Sequence, residues 1–238
     1  MHASIARMEK LATLGQDDLN ALLNPHSVPR AYPAKRELLN GPHDDEVRIL
    51  LRGWAGRVDY MPDGRRQITS LILPGEFVDP SPMLPETRRR PALVAFTPIS
   101  IGNLPSPTAQ EPLTGIRAAR AASRAIEEAC LRRHITRLGR MNAFERTVHL
   151  LLEISERLAL ADLETNDRFA MPLTQEELAD YCGLTSVHVN RTLQYMRGER
   201  LIDLRGKTVN LLDRAAMIRA VAYTPLRPGA AEAPAPQS

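Results

Sequence analysis

The stretch Leu173–Leu193, LTQEELADYCGLTSVHVNRTL, constrains this chain more than any other. Thr174 followed three residues later by Glu177 is a capping box: the hydroxyl satisfies a helix-start N–H and the carboxylate reaches back to the cap. A helix begun there meets Gly183, which ends it by accepting a left-handed conformation. Thr185 then caps a second helix opening at Ser186. Leu178, Ala179, Cys182, Leu184 and Val189 supply a small apolar kernel, with Ala179 small where two helices cross closely. The spacing predicts a helix-turn-helix.

The second helix has two unlike faces. With Val189 and Leu193 inward, Ser186, Val187, Asn190, Arg191 and Gln194 lie on or near the outward side. Such a set can read DNA, because Arg pairs bidentately with guanine, Asn or Gln with adenine, and Val meets a thymine methyl. Thr174, Gln175 and Thr185 are placed to hold phosphates through hydroxyl, amide or helix-terminal N–H groups. His188 points between these faces. Downstream, ERLIDLRGKTVNLL reads as two strands around Gly206, a hairpin wing whose Arg205 and Lys207 reach toward backbone. Two helices and a glycine turn also describe an ordinary structural hairpin. The donor-rich outward face and the basic wing tip favour DNA, and the pI of about 9.1 permits it.

The rest of the 238 residues divides by texture. Ile5, Met8, Leu11 and Leu14 recur at helical spacing, followed by Leu19, Leu22 and Leu23 after Gly15. From Val28 to about Leu104, short β-type runs are broken by Pro and Gly, with a hairpin signal at Asp63-Gly64. That pattern predicts an antiparallel roll or barrel. Gly115 to about Gly139 is then rich in Ala and Arg, with Ala119, Ala122, Ile126, Ala129 and Arg133 tracing an approximate a/d seam. Seven arginines there (117, 120, 124, 132, 133, 137, 140) face only Glu127 and Glu128 nearby, so a partner helix is the natural support. NAFERTVHLLLEISERLAL is a further amphipathic helix, with Val148, Leu151, Leu152, Ile154 and Leu158 on its apolar face. DLETNDRFAM reads as a loop or short wing. The Pro/Ala-rich tail from Pro225 reads as disordered.

Together these motifs resemble the Crp/Fnr family of bacterial transcription regulators over nearly the whole chain. LTQEELADYCGLTSVHVNRTLQYMRGERLIDLRGKTVNLLD is similar to the family's winged helix-turn-helix. GWAGRVDYMPDGRRQITSLILPGEF resembles its β-roll, with Gly75-Glu76-Phe77 at the usual turn. The resemblance implies an α+β chain: an antiparallel, jelly-roll-like sensor domain over 1–112, a dimerisation helix over 113–140, a winged helix-turn-helix over 141–223 and a tail over 224–238. It implies a homodimer paired through about Ile116–Leu138, binding near-palindromic double-stranded DNA with half-sites about one turn apart. Ser186, Val187 and Arg191 then fall where relatives touch bases, Arg191 at the most typical of these positions, and RNA polymerase is an implied partner.

The cyclic-nucleotide readers of this family place Arg-Ser/Thr-Ala some residues after Gly-Glu. Here Glu76 and Arg90 match, but Pro91 replaces the hydroxyl residue and brings no N–H. The roll is therefore expected to be a degenerate sensor that needs no cyclic nucleotide. Arg88, Arg89 and Arg90 read as a solvated basic loop. An iron–sulfur sensor would need four thiolates, and the chain has two cysteines, Cys130 and Cys182. His26, His43, His134 and His149 offer no spacing that favours haem. Oxidation of Cys182 would misplace the recognition helix, yet a buried Cys also serves as a small core residue at that position. No cofactor or metal is expected.

Two rival classes remain. A cupin-like metal enzyme requires a close His-x-His with a carboxylate, and no His-x-His occurs in the chain; Asp44-Asp45-Glu46 reads as a solvated turn. Gly-x-Ser-x-Gly, His-Glu-x-x-His and phosphate-binding glycine loops are absent too, so no enzyme is expected. A dimeric protein-interaction module without DNA binding is the other alternative. No run of about 18 apolar residues exists and no secretory signal is visible at the N-terminus. Two isolated cysteines fit a reducing, cytoplasmic setting.

Overall fold

The computed structural model describes residues 2–23, 28–38, 47–78, 91–104 and 113–226. His26, His43, the acidic run 44–46, Arg88–Arg90 and the tail beyond 226 lie outside the described residues, as does the expected domain boundary at 112.

Two short helices, α1 (His2–Leu11) and α2 (Gln16–Leu23), open the chain. Among the described residues, eight strands follow: β1 (Arg30–Tyr32), β2 (Glu37–Leu38), β3 (Arg48–Arg52), β4 (Ala55–Tyr60), β5 (Arg66–Ile72), β6 (Phe77–Val78), β7 (Ala92–Ala95) and β8 (Ile99–Asn103). They pair antiparallel in two four-stranded sheets, ordered β1-β8-β3-β6 and β2-β7-β4-β5. Leu50, Ala55, Ile72, Leu93, Ile99 and Ile101 are among the buried side chains of the roll. The β4–β5 hairpin turns at Asp63-Gly64, with Gly64 at φ +85° and Asp63 Oδ1 accepting from Arg65 N at 3.1 Å.

The long helix α3 (Thr114–Arg140) starts without a cap of its own, since Leu113 supplies no side-chain acceptor. Asp18 of α2 does the work from a distance, accepting from Gly115 N at 3.2 Å and Ile116 N at 3.0 Å. Gly115 is needed there, because a Cβ would sit 2.5 Å from the Asp18 carboxylate.

The side of α3 that looked like a seam for a partner turns largely inward. Ala119 and Ile126 are buried, Ala122 and Ala129 half-buried, and Arg133 reaches back to the Tyr223 hydroxyl at 3.0 Å and the Thr224 carbonyl at 2.5 Å. Its short side chains let the helix lie against α1 and β5 of its own chain. The buried stripe Ile116, Ala119, Ser123, Ile126, Cys130, His134 and Arg137 follows helical spacing. Leu131 and Ile135 stay exposed on another side, Ile135 at 71 %.

After a two-residue elbow, α4 (Ala143–Ala159) begins with an Asn142–Glu145 capping box and carries Val148, Leu151, Leu152, Ile154 and Leu158 wholly into the core. The segment expected as a loop or short wing is a hairpin, β9 (Glu164–Thr165) and β10 (Arg168–Ala170), with Asn166 and Asp167 both at positive φ (51° and 61°) as a type I′ turn requires. The chain continues through α5 (Gln175–Cys182), α6 (Ser186–Gly198), β11 (Ile202–Arg205), β12 (Thr208–Leu211) and α7 (Arg214–Val221). β11-β12-β10-β9 form the third sheet. Helix α7, not anticipated from the sequence, is capped by Asp213, whose side chain accepts from Ala216 N at 2.8 Å, and packs on α4 through the buried Met217. Trp54, Val58, Ile68 and Leu73 of the roll share one continuous core with α4 and the helix-turn-helix.

Candidate nucleic-acid interface

Thr174 is extended (φ −72°, ψ 163°), and its Oγ accepts from Glu177 N at 3.1 Å while Glu177 Oε2 accepts from Thr174 N at 2.7 Å. The hydroxyl also donates to that carboxylate at 3.0 Å, so the side chain is engaged within the box. The outward donors at this end are then the orphan N–H groups of the first turn. Gly183 ends α5 at φ +62°, ψ 42°, and Thr185 caps α6 by accepting from His188 N at 3.3 Å. Leu178, Ala179, Cys182 and Val189 are buried between the helices, with Leu184 half-buried.

Val189, Thr192, Leu193 and Met196 form the inward face of α6. Ser186, Val187, His188, Asn190, Arg191 and Gln194 are exposed. Val187 is 58 % exposed although aliphatic, with no core for it to join. Gln175 from α5 meets Ser186, Val187, Asn190 and Arg191 around one open concavity of about 350 Å³. Thr174 and Thr185 stand at the starts of the two helices, while His188 and Gln194 lie outside that concavity. The wing tip turns at Gly206 (φ +61°) and sets Lys207 beside Thr174 and Gln175 around a second groove of about 260 Å³. Arg205 is outside this groove and its Nε bonds Asp203 at 2.8 Å.

Behind the interface runs a chain of buried charges. Arg137 donates to Glu153 at 2.9 and 3.3 Å and to the Tyr181 hydroxyl of α5 at 3.0 Å. Arg157 donates to Glu76 at 2.6 and 3.0 Å and lies 3.7 Å from Glu153, while Arg7 of α1 lies 3.4 Å from Glu76. Burial alone would raise the Glu76 pKa, but Arg157 and Arg7 outweigh it and hold the carboxyl below its ordinary value. At the surface of the same contact, Arg66 of β5 pairs with Asp180 at 2.6 Å and Gln67 donates to the Tyr181 carbonyl at 3.2 Å. The helix-turn-helix is thereby tied to the roll and to both long helices. Sequence reading missed this chain, although Glu153 inside the apolar run LLLEI is a signal that a buried partner exists.

His134 stacks on the Tyr181 ring at 4.3 Å, and His149 lies 3.2 Å from Arg137 through Nδ1. Neither ring nitrogen of His134 makes a hydrogen bond of normal geometry, though the Ile68 backbone lies close enough to favour its charged form slightly. Burial, reinforced by Arg137, pushes both imidazoles down to about 4. Cys182 is buried and burial pushes its thiol up to about 11; Cys130 is likewise buried and pushed up to about 12. Cys182 thus has the surroundings of a core residue rather than a reactive thiol.

Among the described residues between the roll and α3, the polar groups around Glu76 are engaged with one another. Glu76, the residue that matched the nucleotide readers, has its carboxylate taken by Arg157, Arg7 and the Leu73 N–H. Among the described residues, the cavity beside it, lined by β5, β6 and α3, has a volume of about 30 Å³, room for about two waters. Among the described residues, no group of three His, Cys, Asp or Glu side chains is placed to hold a metal ion, and no helix is long and apolar enough to cross a membrane.

Residues 145–220 match the family model of the Crp-like helix-turn-helix domain. The chain is 32 % identical over 168 residues to the nitrogen fixation regulation protein FixK of Bradyrhizobium diazoefficiens, covering 70 % of each chain. It is 30 % identical over 192 residues to the transcriptional activator protein FnrL of Cereibacter sphaeroides, covering 75 % of this chain and 73 % of that one. The solved structure of FixK2 from Bradyrhizobium japonicum superposes with a TM-score of 0.66 at 26 % identity, over 84 % of this chain and 99 % of that one. The helix-turn-helix geometry and these likenesses agree: the chain belongs to the Crp/Fnr family and is a DNA-binding transcription regulator.

Proposed function

We propose that the protein acts as a homodimer on near-palindromic DNA, without a cyclic-nucleotide effector. Ser186, Val187, Asn190 and Arg191 read base edges in the major groove; Thr174, Gln175, Thr185, Arg205 and Lys207 hold the backbone. Thr174 acts through its helix-start N–H groups, since its hydroxyl is engaged with Glu177. His188 and Gln194 flank the reading face. The observation that carries this reading is the exposed concavity joining Gln175 to Ser186, Val187, Asn190 and Arg191. The division into a roll (1–112), dimer helix (113–140) and DNA-binding unit (141–223) follows the same reading.

The dimer pairs through the solvent side of α3. Arg124, Glu128, Leu131 and Ile135 recur there at alternating spacings of four and three, the coiled-coil repeat. FnrL is an activator, which supports action through contact with RNA polymerase in the cytoplasm. Cys182 serves the core, so diamide treatment leaves DNA affinity where dithiothreitol leaves it; a reversible loss would restore the redox reading.

Selection from a random DNA pool with wild type and Arg191→Ala, no effector added, tests the whole. A palindrome that loses preference at one base position in the variant, at roughly 1–3 kcal/mol, is the expected result. Unchanged preference at every position would remove Arg191 from the reading set. Steep salt dependence separates DNA recognition from a protein-interaction role.

A further inference from the structure

Arg146 stands near the start of α4, just past the elbow at Met141–Asn142 that joins it to α3. Its guanidinium donates to four backbone carbonyls. Nη2 reaches Leu138 at 2.9 Å and Nε reaches Met141 at 2.7 Å, both at the end of α3. Nη1 reaches Cys182 at 2.9 Å and Gly183 at 3.3 Å, both at the end of α5. Carbonyls at a helix C-terminus have no intrahelical donor and carry the negative end of the macrodipole. One cation therefore caps α3 and α5 together. Gly183 is pressed against the same elbow, where a Cβ would lie 2.9 Å from Leu138 Cδ2.

We propose that Arg146 is a positioning residue for DNA recognition: it fixes the angle at which the helix-turn-helix leaves the dimer helix, and so the separation of the two recognition helices. This rests on the dimer reading above. None of the residues assigned to bases or phosphates is involved, so the half-site sequence stays as it is and the half-site spacing is what Arg146 controls. One inserted base pair shifts a half-site by roughly 3.4 Å and rotates it by about 35°, given 10–10.5 base pairs per turn. A stiff joint accepts one spacing; a loosened joint accepts several. Lysine cannot replace the fork, because a compact ammonium does not span carbonyls on two helices.

The experiment uses full-length wild type, Arg146→Ala and Arg146→Lys on the wild-type selected site, and on the same half-sites with one central base pair added or removed. Stoichiometric titration fixes the active fraction of each protein. Wild type is expected to lose about 30-fold or more in affinity on a spacing change, Arg146→Ala less than about 5-fold and Arg146→Lys an intermediate factor, with base preferences unchanged. Uniform weakening at all spacings, with the full spacing penalty kept, would overturn the proposal and leave Arg146 a stabilising residue only. If the alanine variant does not fold, the lysine variant decides alone, and a wild-type spacing penalty there overturns the proposal equally. Wild type binding a lone half-site as tightly as the pair would instead overturn the dimer reading, and this inference with it.

Discussion

Arg137 and Glu153, sixteen positions apart on consecutive helices, meet through two hydrogen bonds with side chains only 2 % and 0 % exposed. The guanidinium also holds the Tyr181 hydroxyl, so the same pair fixes α5 of the DNA-binding unit. A buried pair contributes little net stability over apolar replacements, yet removing one partner strands the other charge. Glu153→Ala or Arg137→Ala should therefore cost about 3–5 kcal/mol in urea unfolding, and Arg137→Met with Glu153→Leu should recover most of it. Single variants within about 1 kcal/mol of wild type would show that water reaches the pair and screens it.

The buried histidines give stability a defined pH dependence. His134 and His149 sit at about 4 in the folded protein, below their ordinary 6.5. Above pH 6.5 both states are neutral and this contribution is fully present. Between 6.5 and about 4 the unfolded chain binds protons that the folded one refuses, so stability is lost as pH falls, by up to about 1.4 kcal/mol per pH unit per histidine. Glu76, held below its ordinary value of 4.5, adds a loss in the same direction at lower pH. The urea midpoint should be flat from pH 8 to 7, fall below 6.5, and fall less steeply in His149→Asn. A midpoint equal at pH 7 and pH 5 would contradict the burial of both rings.

What the sequence makes legible is what neighbours decide. Thr174 with Glu177, Gly183, Thr185 and the Asp63-Gly64 turn are each local devices made within a few residues, and each has the expected geometry. The exposed face of α6 follows from helical periodicity once Val189 and Leu193 point inward. The two sides of α3 were not legible, because Ala119 and Ile126 find their partners in α1 and β5, about a hundred and about sixty residues upstream. Asp18 capping α3, and Arg146 capping two helix ends, are long-range in the same sense. The β9–β10 hairpin decides between the loop and the short wing that the sequence leaves open, and Asn166-Asp167 is the local signal for it, a pair that tolerates positive φ twice.

The corrected faces of α3 separate two substitutions that look alike in sequence. Ile135 is 71 % exposed and Ile126 is 8 % exposed. Ile135→Asp should leave the fold intact, shift the sedimenting species to monomer and weaken DNA binding at least tenfold, because a monomer loses the second half-site. Ile126→Asp buries a charge against the chain's own roll and should instead lower thermal stability. A dimeric Ile135→Asp variant would move the subunit contact elsewhere.

On the proposed reading, Lys207 contributes affinity and Arg191 specificity. Lys207 stands at the wing tip beside Thr174 and Gln175, where a phosphate would pass, whereas Arg191 faces the concavity on α6. A lysine on a phosphate releases a counterion and contributes equally on every sequence. Lys207→Ala should therefore weaken binding by a similar factor on the selected site and on its single-base variants. The slope of log affinity against log salt should become shallower by roughly 0.9 for each wing engaged. Arg191→Ala should change the ranking of those variants. A Lys207→Ala protein with an altered base ranking and an unchanged salt slope would place the wing on base edges instead.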